Sequence, residues 1–173
     1  MWGGETLHPL YRLVLWLAAR IAPDLEVSGR GLGRRASDDD EVLHELARDP
    51  LFLKTTRIAT LEGVVRLMDR ARADAPRLRL PVLVLVGERD EIVPPAAQIS
   101  FARAIPSPRC TLVVYPEGWH LLLRDLQRER VWRDVLAWME GRPLPSGLAE
   151  PCSGGRIADT AEAGPSPSSV VVW

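Results

Sequence analysis

Behind Pro81 the chain runs through six residues, Val82 to Gly87, without a polar side chain: PVLVLVG. An alternating strand leaves one face for water, but this run offers water neither face. It therefore predicts a strand covered on both sides, as in a parallel sheet, bounded by Pro81 and Gly87. PPAAQISFARAIP follows, a helix with prolines at its start and just past its end. CTLVVYP is a second β-branched strand, and Leu121 to Met139 reads as a long helix with Leu122, Leu126, Trp132, Val135, Leu136 and Met139 for its buried side. Strand, helix, strand, helix implies parallel pairing through a right-handed crossover. The fold class is α/β, with an incomplete sheet of two strands.

The residues before this unit are helical in pattern. Leu10, Leu13, Val14, Leu17 and Ile21 recur at helical spacing until Pro23. This first stretch is too short to span a bilayer and is interrupted by Arg12 and Arg20, so no transmembrane segment is read. Gly29, Gly31 and Gly33 look like a phosphate cradle only superficially, because no strand is expected ahead of them. No cofactor is expected. Ser37 ahead of Asp38, Asp39, Asp40 and Glu41 supplies a hydroxyl cap and an acidic first turn, opposite the positive end of a helix dipole. That helix continues through Arg48. A further helix fits Ile58, Leu61, Val64, Val65 and Met68, ending before Pro76. Three helices thus come first, with no strand among them.

From Gly141 the chain becomes rich in Pro, Gly, Ser and Ala, which cannot bury enough apolar surface to offset ordering entropy. The organisation expected is a helical region over 1–76, an α/β segment over 77–141 and a disordered tail over 142–173, with the terminal Val-Val-Val-Trp as an adhesive end. With 22 basic and 23 acidic residues the formal charge is -1, which gives no electrostatic reason to expect a nucleic-acid partner. Cys110 and Cys152 cannot form a metal site by themselves and lack Cys-x-x-Cys spacing, so reduced thiols and a cytoplasmic setting are expected. No signal peptide is read at the start.

Two loops carry the chemistry. GERDEIVP follows the first strand and PEGWH the second. Ligands gather outside the carboxyl ends of parallel strands, so Asp90 and His120 should face one crevice. Neighbouring strands lie about 5 Å apart, within reach of a carboxylate and an imidazole. Such a pair holds the ring tautomer, aims the other nitrogen and stabilises the imidazolium formed on proton uptake. The plainer alternative is that Asp90 caps a turn and His120 begins the last helix. Glu88, Glu91 and Glu117 are rival carboxylates. Trp119 either walls the site or packs. His8 and His44 fall on predicted helices without partners.

PVLVLVGERDEIVP, followed about thirty positions later by YPEGWHLLLRD, resembles the C-terminal part of the α/β-hydrolase fold, in its monoacylglycerol lipase, lysophospholipase and serine aminopeptidase-like branch. The resemblance covers roughly Leu80 to Met139. It implies Asp90 and His120 as acid and base of a Ser-Asp-His triad, by way of Gly87 and Gly118, and a small-molecule ester or lipid-like substrate. The helical region resembles the cap of such enzymes, with the faces of Leu10 to Ile21 and Ile58 to Met68 lining an acyl-sized cavity. The family's nucleophile elbow, Gly-x-Ser-x-Gly, has no counterpart here. The only glycines four apart, Gly29 and Gly33, have Gly31 between them. By that comparison the chain looks like the C-terminal half of a hydrolase, inactive alone, with a complementing N-terminal half as a possible partner. A non-catalytic remnant or partner-binding module is the other reading.

Overall fold

A computed structural model describes residues 8–29, 32–106 and 108–152, together with the backbone of 169–172. At its centre are β3 (Val82–Gly87) and β4 (Cys110–Tyr115), parallel and in register from Val82 opposite Cys110 to Gly87 opposite Tyr115. Two shorter elements, β1 (Glu26–Val27) and β2 (Thr56–Arg57), precede them in the chain. All six residues of β3 are buried, as its unbroken apolar composition requires. Pleating sends alternate side chains to opposite faces. Val82, Val84 and Val86 pack with Ala102, Ile105 and Leu112, while Leu83 and Leu85 pack with Val113, Tyr115, Leu122 and Val131. At about 1.5–3 kcal/mol for each fully buried Val or Leu, these two clusters are the main reason the unit holds together. One cluster takes its cover from α4 (Pro95–Arg103), the other from α5 (Arg128–Met139).

The sheet is larger than its sequence pattern suggests. It has four strands in the order β5-β4-β3-β6, where β5 is Ala149–Pro151 and β6 is Ser169–Val172. β5 pairs antiparallel with β4, and β6 pairs parallel with β3 from Val82 to Leu85. Both come from the tail expected to be disordered, and β6 includes the three valines. The expectation weighed only the tail's composition. It left out the unpaired N–H and C=O groups along the outer edges of β3 and β4, which accept an extended segment whatever its apolar content. Residues 153–168 lie outside the described part. The expected reduced thiols are also corrected: Cys110 and Cys152 form a disulfide, with Cα atoms 5.3 Å apart. A separation of 42 residues concealed the pair, which β4–β5 pairing brings together.

The helical region holds α1 (Pro9–Ile21), α2 (Asp40–Arg48) and α3 (Ile58–Asp74). β1 and β2 pair antiparallel between these helices, where no strand was expected. α1 leans on α3 and is tied to it by Arg12 and Asp69, 2.5 Å apart, but its apolar stripe remains about half exposed or more. Among the described residues no helix is long and apolar enough to cross a membrane.

α5 begins at Arg128, not Leu121, and residues 121–127 form turns. Of the expected buried side, Leu122 and Val135 do pack into the core, but the rest is rotated away from it. Val131, Asp134 and Ala137 are buried, whereas Leu126, Trp132, Leu136 and Met139 are exposed. The physical reason is polar: Tyr115 donates its hydroxyl to Asp134 at 2.8 Å, and Asp134 also accepts from the backbone of Ser146. A buried carboxylate must be hydrogen-bonded, so this pair sets the helix phase against the leucines. Burial, reinforced by the same bond, raises the Tyr115 phenol far above its ordinary value.

Candidate active site

Both loops leave the carboxyl ends of β3 and β4, and two glycines let them touch. A Cβ on Gly87 would lie 2.4 Å from the Trp119 carbonyl oxygen, and one on Gly118 would lie 2.9 Å from the Gly87 Cα. The contact is closed by hydrogen bonds from Arg89 N to Gly118 O at 2.9 Å and from Glu88 N to Tyr115 O at 3.0 Å.

Across this junction His120 Nδ1 stands 3.0 Å from Asp90 Oδ2. Asp90 is buried, while about a quarter of the His120 side chain is exposed. The carboxylate is held from several sides. Ile92 N and Val93 N donate to its Oδ1 at 2.8 and 2.9 Å, and Gln98 Nε2 donates to Oδ2 at 3.0 Å. Burial disfavours the Asp90 anion, but the hydrogen bonds from His120, Val93 and Ile92 outweigh it and hold the carboxyl below its ordinary range. A carboxylate anchored in this way accepts the Nδ1 proton, which leaves Nε2 as the basic nitrogen. Asp90 does cap the turn that follows it, so the plainer reading describes a real contact; it also binds the imidazole.

The rival carboxylates go elsewhere. Glu117 pairs with Arg89 at 2.6 Å, Glu91 accepts from Arg35 N at 2.7 Å, and Glu88 is exposed. His8 precedes α1 and accepts from Leu10 N at 3.3 Å, a cap and not a helix-interior residue. His44 lies exposed on α2. Of the acidic run, Asp39 caps α2 by accepting from Glu41 N and Val42 N, and those bonds with Arg128 lower its pKa against the opposing effect of desolvation. Asp40 pairs with Arg35, and Asp38 accepts from Leu126 N. Ser37, expected as the cap, instead donates its hydroxyl to Asp125 Oδ1 at 2.7 Å.

Sequence reasoning missed three contributors. Gln98 had a visible signal, as the one amide side chain in the largely apolar AAQISFA stretch. Asp125 closes the YPEGWHLLLRD string but gave no sign of pointing back toward Trp119, whose N–H donates to its Oδ2 at 2.7 Å. Arg35 lies over the Trp119 ring at 5.8 Å, a contact that spacing alone does not reveal. Trp119 itself is half-buried.

Two comparisons bear on this geometry. The structure is similar to that of a monoacylglycerol lipase from Paleococcus ferrophilus, with a TM-score of 0.67 and 24% identity over 76% of this chain and 52% of that one. The chain thus spans about half the length of that enzyme, and the likeness establishes a partial match to the α/β-hydrolase fold. A family model described as serine aminopeptidase, S33, matches residues 1–127, which include both Asp90 and His120. With that match extending over most of its length, the chain belongs to the serine aminopeptidase S33 family of α/β-hydrolases.

Proposed function

We propose that Asp90 and His120 are the orienting acid and the general base of a serine hydrolase that cleaves carboxylic esters of the monoacylglycerol or lysophospholipid kind. The observation that carries this reading is the 3.0 Å contact between Asp90 Oδ2 and His120 Nδ1 at the mouth of the strand ends. In the complete site, Nε2 takes the proton of a serine hydroxyl as it attacks the ester carbonyl, then returns it to the leaving alcohol. Asp90 keeps the ring in the productive tautomer and stabilises its cation. The serine and the oxyanion donors come from a polypeptide segment outside these 173 residues, since no Gly-x-Ser-x-Gly elbow occurs among them. One lost oxyanion donor alone costs about 3–4 kcal/mol of transition-state stabilisation, so the chain by itself turns over little substrate. The half-exposed apolar side chains of α1 and α3 suit an acyl chain. An amide substrate would use the same machinery.

A non-catalytic, partner-binding module is the second reading. The pairing of β6 with β3 favours its non-catalytic part, because the chain covers with its own tail an edge of β3 that a complementing half would otherwise join.

A fluorophosphonate probe separates the two. The isolated chain is expected to remain unlabelled. Mixed with a nucleophile-bearing N-terminal half, the assembly should label and hydrolyse ester, and His120→Ala should abolish both. Labelling of a serine within this chain would refute the absent-nucleophile reading, and near-normal turnover by His120→Ala would remove His120 from the mechanism.

A further inference from the structure

We propose that Asp125 is a positioning residue for His120, tying the histidine loop to the segment Arg35–Ser37 of the helical region; this rests on reading Asp90 and His120 as a dyad. The residues on either side of His120 are both held by their backbone N–H groups. Ahead of it, Trp119 N donates to Asp125 Oδ2 at 2.7 Å; after it, Leu121 N donates to Ala36 O at 2.9 Å. The other oxygen of Asp125 accepts the Ser37 hydroxyl at 2.7 Å, so both restraints lead to consecutive residues, Ala36 and Ser37. One residue earlier, Arg35 N donates to Glu91 beside Asp90, and the Arg35 guanidinium covers Trp119. Three consecutive residues thus serve as a common reference for the two loops that must meet.

The carboxylate is an expensive means of making these bonds. Asp125 is fully buried, and the nearby Arg128 guanidinium reaches Asp39 Oδ2 and the Asp125 backbone carbonyl, not its carboxylate. Burial accordingly raises its pKa despite the Trp119 and Ser37 hydrogen bonds. An uncompensated buried carboxylate is disfavoured unless its two acceptor oxygens are both required. Here one is required by Trp119 N and the other by Ser37.

The test reads imidazole tautomers by long-range proton–nitrogen NMR on the full chain, with labelled histidine and His120 assigned by difference from His120→Ala. In the unmutated chain the neutral His120 ring should carry its proton on Nδ1. Asp125→Ala is expected to abolish that preference, bringing the two ring nitrogens toward averaged shifts, while near-UV circular dichroism shows the fold intact. Asp125→Asn should restore it, since the amide oxygen still accepts from Trp119 N and the amide nitrogen donates to Ser37. A folded Asp125→Ala with an unchanged His120 signal, or an Asn variant that behaves like Ala, overturns the proposal. If Asp125→Ala does not fold, Ser37→Ala decides: a weakened preference supports the tie, and no change refutes it. Asp90→Asn separates the two levels of the argument. Should it leave the tautomer untouched, the dyad reading fails; should it erase the preference while Asp125→Ala does not, only the positioning role fails.

Discussion

Asp90 and Asp125 are both buried aspartates beside one histidine loop, yet folding moves their acidities in opposite directions. For Asp90, hydrogen bonds to the anion prevail over burial, so the folded state prefers the ionised form more than the unfolded chain does. Its contribution is present above the ordinary value of 3.8 and is lost as pH falls through the lower folded value. For Asp125 burial prevails, and the sign reverses: folding favours the protonated form, and the ionised form is a liability at neutral pH. Asp125→Asn, which removes the charge, keeps the bond from Trp119 N and reverses the one with Ser37, should therefore raise the thermal midpoint at pH 7. The gain should shrink as pH falls through the raised folded value and be gone below 3.8, where the unfolded aspartate is protonated as well. Asp90→Asn should lower the midpoint at pH 7, with a deficit that closes in strong acid. Melting curves across pH for the three proteins check both signs; identical pH slopes would contradict them. That Asp90 and His120 face one crevice was legible in the sequence because each lies in the short loop after an apolar run that fixes where the loop emerges. Ser37 and Asp125 are 88 positions apart and meet only through tertiary packing, with no periodicity to announce it.

The dyad depends on how closely the ends of β3 and β4 approach, and Gly87 is where a side chain would interfere most. Its Cβ would meet backbone atoms, the Trp119 carbonyl oxygen at 2.4 Å and the Gly118 carbonyl carbon at 2.7 Å, and neither can rotate aside. Gly87→Ala must therefore push the histidine loop away from the aspartate loop. Overpacking of this kind costs about 1–3 kcal/mol, and the rigid neighbours here favour the upper end. Chemical denaturation should show the loss, and the Nδ1–H signature of His120 should weaken with it. A stable Gly87→Ala chain with an intact dyad would mean that the loops meet by another route. β3, β4 and α4 were legible because their apolar runs and prolines are local signals, whereas β1, β2, β5 and β6 carry no such run of their own or lie in a stretch of disordered composition. The phase of α5 was not, because Leu126, Leu136 and Met139 look like a buried stripe until the bond between Tyr115 and Asp134 turns the helix the other way.

Across the whole molecule, the disulfide and the dyad occupy opposite ends of β4. Cys110 opens the strand, while His120 follows its last residue, Tyr115, which puts about 20 Å of extended chain between the two ends. The cross-link closes 42 residues of chain, and loop-closure entropy assigns that constraint about 4 kcal/mol, with about 2–4 kcal/mol typical in practice. Composition concealed this, since the tail bearing Cys152 has no apolar periodicity and is ordered by a covalent bond and a strand edge. Replacing both cysteines by alanine should lower unfolding free energy by about 2–4 kcal/mol in denaturant titrations. The loss should begin locally: Ala149, Glu150 and the β4 amides facing them should exchange hydrogen faster, because β5 is a short strand paired along β4 and bonded covalently at its end. The pairing of β3 with β4, backed by buried side chains on both faces, should keep its protection, and the His120 tautomer should survive. If the dyad signature disappears together with β5 protection, the sheet is one cooperative block from the disulfide to the loops of Asp90 and His120. If stability does not change, the tail is ordered by its strand pairing alone.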